Sequence, residues 1–211
     1  KSVAKDIIAS GGKAVGTWFD GGDEASIEAM VALALSEFGR IDGFHANYIG
    51  AAIGDSMHDV TDIPLEDFDR VLRVGMRGFM LCTRHAVPAM LKSGGGAMVY
   101  TSSDSAYVGE DVRVAYAMSK SAVHALARHV ANRFGPRGVR ANVICPGLIR
   151  HAGLEAVMDE DMLTGSAQAV PVRRLGTPTD IAAMGALLMS EEGSFINGQM
   201  ISVNGGAAMR P

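Results

Sequence analysis

The chain has 211 residues, a length that suits one domain with a sizeable core. Hydrophobic residues make up 48% and charged residues 20%, a balance that excludes a disordered chain. The formal net charge of −4 argues against a nucleic-acid or anionic-membrane surface. Arg128, Arg133, Arg137 and Arg140 form a basic cluster, which reads as a solvated helix end. Cys82 and Cys145 are too few for a disulfide framework and sit in apolar segments, which points to buried thiols in a reducing cytoplasm. No apolar run approaches the ~20 residues of a membrane span, and no signal peptide is visible.

Residues 1–10 read as an amphipathic helix fragment, and residues 14–19 as a short strand with β-branched and aromatic residues. Residues 23–38 predict a helix with Ile27, Met30, Val31, Ala34 and Phe38 on one face. A strand is expected over 43–48, and a long helix over 65–92 that ends at Gly94-Gly95-Gly96. Next come a strand over 97–103, a helix over 114–134 ended by Gly135-Pro136, and a strand over 139–145 closed by Pro146-Gly147. Residues 151–170 are irregular or partly helical. Thr177 N-caps a helix over 178–189, with Pro178 in its first turn and Asp180 completing a capping-box-like start. Residues 200–203 form the last strand. Strands alternating with helices mean a parallel sheet covered on both faces. There is no internal repeat and no linker.

The chemistry concentrates in Tyr116-Ala-Met-Ser-Lys120. A phenol and an ammonium four residues apart on a helix face the same way. A tyrosine hydroxyl ordinarily titrates near ~10, and a nearby ammonium favours the phenolate. Such a pair can exchange a proton with an alcohol or carbonyl oxygen. Upstream, Val99-Tyr100-Thr101-Ser102-Ser103 reads as a strand ending in hydroxyls, and either serine could hold a substrate oxygen against the tyrosine. By itself Tyr-x-x-x-Lys is a weak motif, and an ordinary surface pair is its plainer reading.

In this context the chain resembles the short-chain dehydrogenases/reductases from Lys1 to its end. Asp20 resembles the acidic residue that holds the adenine amino group, with Gly21 beside it. Asn47 stands at the family's Asn-Ala-Gly turn. Ser103, Tyr116 and Lys120 match the catalytic serine, tyrosine and lysine, including the serine-to-tyrosine spacing. Pro146-Gly147 matches the turn against the nicotinamide. Arg174-x-Gly176-x-Pro178 and Asn204-Gly205-Gly206 resemble the C-terminal signature. The resemblance implies a Rossmann-like, doubly wound, three-layer α/β domain that binds NAD or NADP. It implies that Tyr116 transfers the proton, Lys120 assists it and bonds the nicotinamide ribose, and Ser103 orients the substrate oxygen. Ser102 is the rival, and neighbours on a strand face opposite ways. The implied cofactor set adds Tyr48, Ile49, Thr101, Ile149 and His151 to Asp20, Gly21, Asn47, Tyr116, Lys120, Pro146 and Gly147.

Several positions depart from the family. Gly75 stands where an Asn supports a water relay behind the lysine. The Asn-Ala-Gly turn reads Asn47-Tyr48-Ile49, whose larger side chains could narrow the cofactor groove. His151 replaces a Thr that bonds the carboxamide; an exposed loop histidine is the equally weighted alternative. The family's first strand, its glycine-rich phosphate loop, the following helix and the second strand have no counterpart, because Gly11-Gly12 and Gly21-Gly22 do not fit the loop pattern. The expectation is therefore the remainder of a longer protein that lacks the first βαβ unit. The remaining histidines show no metal-ligand spacing, so no metal is expected.

These readings give a cytoplasmic alcohol dehydrogenase or carbonyl reductase with a small-molecule secondary alcohol or ketone as partner. The alternative is a catalytically impaired family member serving as a binding or assembly subunit. An α/β hydrolase is excluded, because no Gly-x-Ser-x-Gly elbow is present. Leu154, Val157, Met158, Met162 and Leu163 suggest a neutral, mostly apolar substrate, since no Arg or Lys lies between His151 and Val170; an ordinary amphipathic lid packing on the core is the equally weighted alternative. Wide apolar arcs on the helices over 65–92 and 114–134, with Met76, Phe79, Met80, Val123, Leu126 and Val130, suggest a homo-oligomer, a dimer or tetramer.

Overall fold

The computed structural model describes residues 2–50 and 57–209. The strands are β1 (Gly43–Ala46), β2 (Gly96–Thr101), β3 (Val139–Pro146) and β4 (Met200–Val203). All pair in parallel, in the order β1-β2-β3-β4. The helices are α1 (Ser2–Ala9), α2 (Glu24–Phe38), α3 (Leu65–Leu72), α4 (Gly78–Lys92), α5 (Val114–Phe134), α6 (Ala152–Glu155), α7 (Glu160–Ala169) and α8 (Pro178–Met189).

Period-two alternation along β2 assigns the faces. Met98 and Tyr100 pack with Phe79 of α4, Val123 and Ala127 of α5, and Val143 and Cys145 of β3. Val99 turns the other way, joining Ile144 of β3 and Leu188 of α8. Helices thus cover both faces of a parallel sheet, the three-layer α/β architecture that the sequence predicts. Its carboxyl edge brings together the ends of β1, β2 and β3, where the crossover connections leave the strands free to present side chains.

Local chemistry sets the helix ends. Asp23 caps α2 by accepting from the Ala25 and Ser26 N–H groups, and Gly39 closes it at φ 79°. Thr177 and Asp180 form a reciprocal capping box on α8.

Five expectations change. β2 ends at Thr101 rather than 103. Residues 14–19 carry no strand: among the described residues nothing pairs with them, and Trp18 is 74% exposed. β1 ends at Ala46 rather than 48, because the Tyr48 carbonyl leaves the ladder to accept from Lys120. The helix expected over 65–92 is interrupted by a wider π-helical turn at Arg73–Arg77, centred on Gly75. Of the six residues proposed for an oligomer face, Phe79, Val123 and Val130 lie in the subunit's own core, with Leu126 packed against it. Met76 and Met80 remain partly exposed. Cys82 and Cys145 are free and buried.

Candidate active site

Lys120 is the anchor of the site. It projects from α5 into the protein, only 1% exposed. Its Nζ donates to the backbone carbonyls of Thr101 at 2.9 Å and Tyr48 at 3.2 Å, one beyond the end of β1 and one at the end of β2. Burial pulls its pKa down to about 8 from 10.5. An ammonium has three donors, so two hydrogens fix the side chain and the third is left for a ligand.

Tyr116 lies one helical turn earlier on the same face, with Lys120 Nζ 5.8 Å from its ring centroid. On another side the Arg113 guanidinium carbon stands 4.3 Å from that centroid. Tyr116 is half-buried.

The two serines have different work. Ser102 Oγ donates to the Lys120 carbonyl at 2.9 Å and lies 2.8 Å from His124 Nε2, pinning β2 to α5. It is spent on structure. Ser103 is half-buried and caps the short turn Asp104–Ala106. Its Oγ accepts from the Ser105 N–H at 3.2 Å.

The other expected site residues fall into two groups. At the strand ends, Asn47 and Ile49 are exposed, and Gly147 donates its N–H to the Val203 carbonyl. A Cβ on Gly147 would sit 2.9 Å from that of Asn204, so the turn after Pro146 requires glycine. Ile149 pairs with Gly176 in an isolated bridge. Asp20 accepts the Gly22 N–H at 2.8 Å and donates its own N–H to Ser26, a turn that leads into α2.

The second group is engaged elsewhere. Thr101 places its hydroxyl 2.8 Å from His45 Nε2, and burial lowers the His45 pKa, which favours the neutral ring. Only the Thr101 carbonyl turns toward Lys120. His151 is exposed and caps α6, its Nδ1 accepting from the Gly153 N–H.

Tyr48 does not narrow the groove. Its ring lies in the core, 4.5 Å from Phe79 and 5.2 Å from Phe19 between centroids, with its hydroxyl 3.5 Å from Cys82 Sγ. Gly21 makes room for it: a Cβ there would come 2.5 Å from the ring. Gly75 is likewise a packing glycine, since its Cβ would meet Ser119 Oγ at 2.9 Å, next to Lys120.

Sequence reasoning missed a polar group between Ser103 and Tyr116. Ser105, Glu110 and Arg113 link the two, and Asn204 Nδ2 donates to the Asp104 carboxylate at 2.7 Å. The available signal was Glu110 and Arg113, opposite charges three residues apart just before a helix. Among the described residues no group of three or more His, Cys, Asp or Glu could hold a metal ion, and no helix is long and apolar enough to cross a membrane.

A family model described as enoyl-(acyl carrier protein) reductase matches residues 1–208. The chain belongs to the short-chain dehydrogenase/reductase family. It is 32% identical to a probable short-chain type dehydrogenase/reductase of Bradyrhizobium diazoefficiens, covering 87% of this chain and 66% of that protein. It is 32% identical to the 7alpha-hydroxysteroid dehydrogenase of Clostridium sardiniense, over 98% of this chain and 79% of that one. The chain thus spans roughly two thirds to four fifths of the length of these relatives. A solved 7 alpha-hydroxysteroid dehydrogenase, in complex with NADH and 7-oxo glycochenodeoxycholic acid, superposes with TM-score 0.90 at 31% identity, covering 97% of this chain and 78% of that one. The fold is Rossmann-like, as in these neighbours.

Proposed function

We propose that the protein is an NAD(P)-dependent oxidoreductase that interconverts a secondary alcohol and a ketone, with Ser103, Tyr116 and Lys120 as its working groups. One observation carries this reading. A buried lysine with one uncommitted N–H stands beside a half-buried tyrosine on α5, at the carboxyl edge of the sheet.

The nicotinamide end of the cofactor fits this edge. Asn47, Pro146 and Gly147 would flank it, and the third Lys120 hydrogen would meet a ribose hydroxyl. Asp20 and Gly21 would serve the adenine end. When bound, the cofactor supplies or accepts the hydride. The protein's own residues handle the rest. Tyr116 gives a proton to the carbonyl oxygen in reduction and takes it from the alcohol in oxidation. The Lys120 ammonium stands 5.8 Å from the ring centroid of the phenol that exchanges this proton. Ser103 hydrogen-bonds the substrate oxygen and orients it.

The substrate class that fits best is neutral and mostly apolar. Arg150, the cation that precedes the segment over 151–170, is committed to Glu155 and Glu160, and Arg173, which follows it, donates to the Gln168 carbonyl. Arg113 faces Glu110. Val157 and Met162 are 54% exposed, while Leu154 and Leu163 pack on Leu175. The hydroxysteroid dehydrogenases among the relatives, one solved with a 7-oxo ligand that is itself a carboxylic acid, support the hydroxyl/oxo pair and not the neutral class. We extend the reading to a homo-oligomer in the cytoplasm, with Met76 and Met80 on the contact face. Titration with NADH and NADPH, followed by nicotinamide fluorescence, tests the cofactor. Turnover of matched neutral and carboxylated ketones tests the substrate, and a preference for the carboxylated member sinks that part.

A further inference from the structure

The loop between Ser103 and α5 contains a hydrogen-bonded chain with a fixed polarity. Ser105 is buried, and its Oγ donates to Glu110 Oε1 across 2.5 Å. Ser103 Oγ lies 3.1 Å from Ser105 Oγ. The other Glu110 oxygen is 3.7 Å from a guanidinium nitrogen of Arg113, the residue that covers the Tyr116 ring. Arg113 is held at φ 72°, a left-handed conformation that costs a residue with a Cβ, and its N–H donates to the His58 carbonyl. An exposed Glu–Arg pair three residues apart is ordinarily inert. These side chains are only 24% and 31% exposed, and one carboxylate oxygen is taken by a buried hydroxyl.

Counting hydrogens sets the direction. A carboxylate only accepts, so the single Ser105 hydroxyl hydrogen goes to Glu110. Ser105 Oγ can then only accept from Ser103, which commits the single Ser103 hydrogen. The Ser105 backbone N–H fills one Ser103 lone pair. What Ser103 has left is one acceptor position. A hydroxyl can donate to it on binding, and must then turn that hydrogen to Tyr116 to react; an oxo oxygen has no hydrogen to donate. To meet a ketone, Ser103 must first give up its bond to Ser105 and turn its hydrogen.

We infer that Glu110, acting through Ser105, holds Ser103 as a hydrogen-bond acceptor, so that the site binds a hydroxyl in preference to an oxo oxygen before any chemistry. This rests on the reading of Ser103 as the residue that contacts the substrate oxygen. Glu110 is thus a positioning residue. It acts on the hydroxyl torsion alone, because the Ser105 backbone N–H still fixes where Ser103 Oγ lies.

The test uses the cofactor-loaded protein and one neutral alcohol/ketone pair. Ser105→Ala and Glu110→Ala should each lower the KM for the ketone by about fivefold, the scale of one hydrogen bond no longer competed for. The KM for the alcohol should stay or rise. The double variant should gain nothing further, and in a Ser103→Ala background neither substitution should move the ketone KM. A merely structural role would lower the melting temperature and leave that ratio unmoved. Should Ser105→Ala fail to fold, Glu110→Ala at the surface carries the test. An unchanged or raised ketone KM overturns the inference, as does a shift that persists without Ser103. If Ser103→Ala itself turns over like the parent, the functional reading falls and takes the inference with it; if Ser103→Ala is impaired and the other results fail, the inference alone falls.

Discussion

The Asn204 side-chain amide donates to the Asp104 carboxylate at 2.7 Å, joining the residue after Ser103 to the end of β4, 100 positions later. The same amide donates to the Ala208 carbonyl, and its oxygen accepts the Gly206 N–H. Gly147 packs against its Cβ. One side chain therefore ties the serine loop, the turn after Pro146 and the C-terminal turn together. Asn204→Ala should destabilise the protein by about 1–3 kcal/mol, because it takes away a donor from a buried carboxylate. Chemical denaturation measures this, and a change within about 0.5 kcal/mol, the range of inert surface positions, would remove the role.

Tyr116→Phe keeps the ring and removes the hydroxyl. Turnover should fall by about two orders of magnitude or more, the scale of a lost general acid. Cofactor affinity, read by fluorescence, should barely change, since the ring still packs beneath Arg113. Parent-like turnover in this variant would end the assignment.

Gly75→Asn tests whether the missing family asparagine is a defect or an adaptation. The close approach of Ser119 favours the second, as does the π-helical turn that Gly75 occupies. The substitution should cost about 1–3 kcal/mol from overpacking and give no kinetic gain. Gly75→Ala should be milder, and milder still combined with Ser119→Gly. A rise in turnover or a displaced pH–rate curve for Gly75→Asn would instead favour a broken proton relay.

Lys120 carries a pH signature. Its pKa is about 8 in the fold against 10.5 ordinarily. Between those values the unfolded chain binds the proton and the folded chain does not, so stability rises with pH across that window. Without cofactor, the parent should gain on Lys120→Met by up to about 1.4 kcal/mol per pH unit there. Below pH 8 both states carry the charge and the difference should be flat. A constant difference from pH 7 to 10.5 would refute the buried, depressed lysine.

What the sequence made legible was whatever depends on local periodicity. Tyr116 and Lys120 share a face because a helix repeats every 3.6 residues, and Ser102 and Ser103 diverge because the backbone stays extended just past the end of β2. Residues 14–19 have strand-like composition, yet a strand exists only where a neighbour completes its ladder. Tyr48 escaped prediction because strand alternation stops once the chain leaves the sheet; its direction is set by the space above Gly21 and by Phe79, both distant in sequence. Glu110 and Arg113 were legible as opposite charges three residues apart, but not as a cover for Tyr116, because a left-handed backbone at Arg113 leaves no mark in composition.

Tyr48 also makes one machine part of two distant places. Its ring rests on Gly21, beside Asp20, while its carbonyl grips the Lys120 ammonium. The aromatic stack with Phe19 and Phe79 leaves the ring little freedom to absorb a displacement. A displacement of the Asp20–Gly21 turn would press on the ring whose own backbone carbonyl holds the amine beside Tyr116.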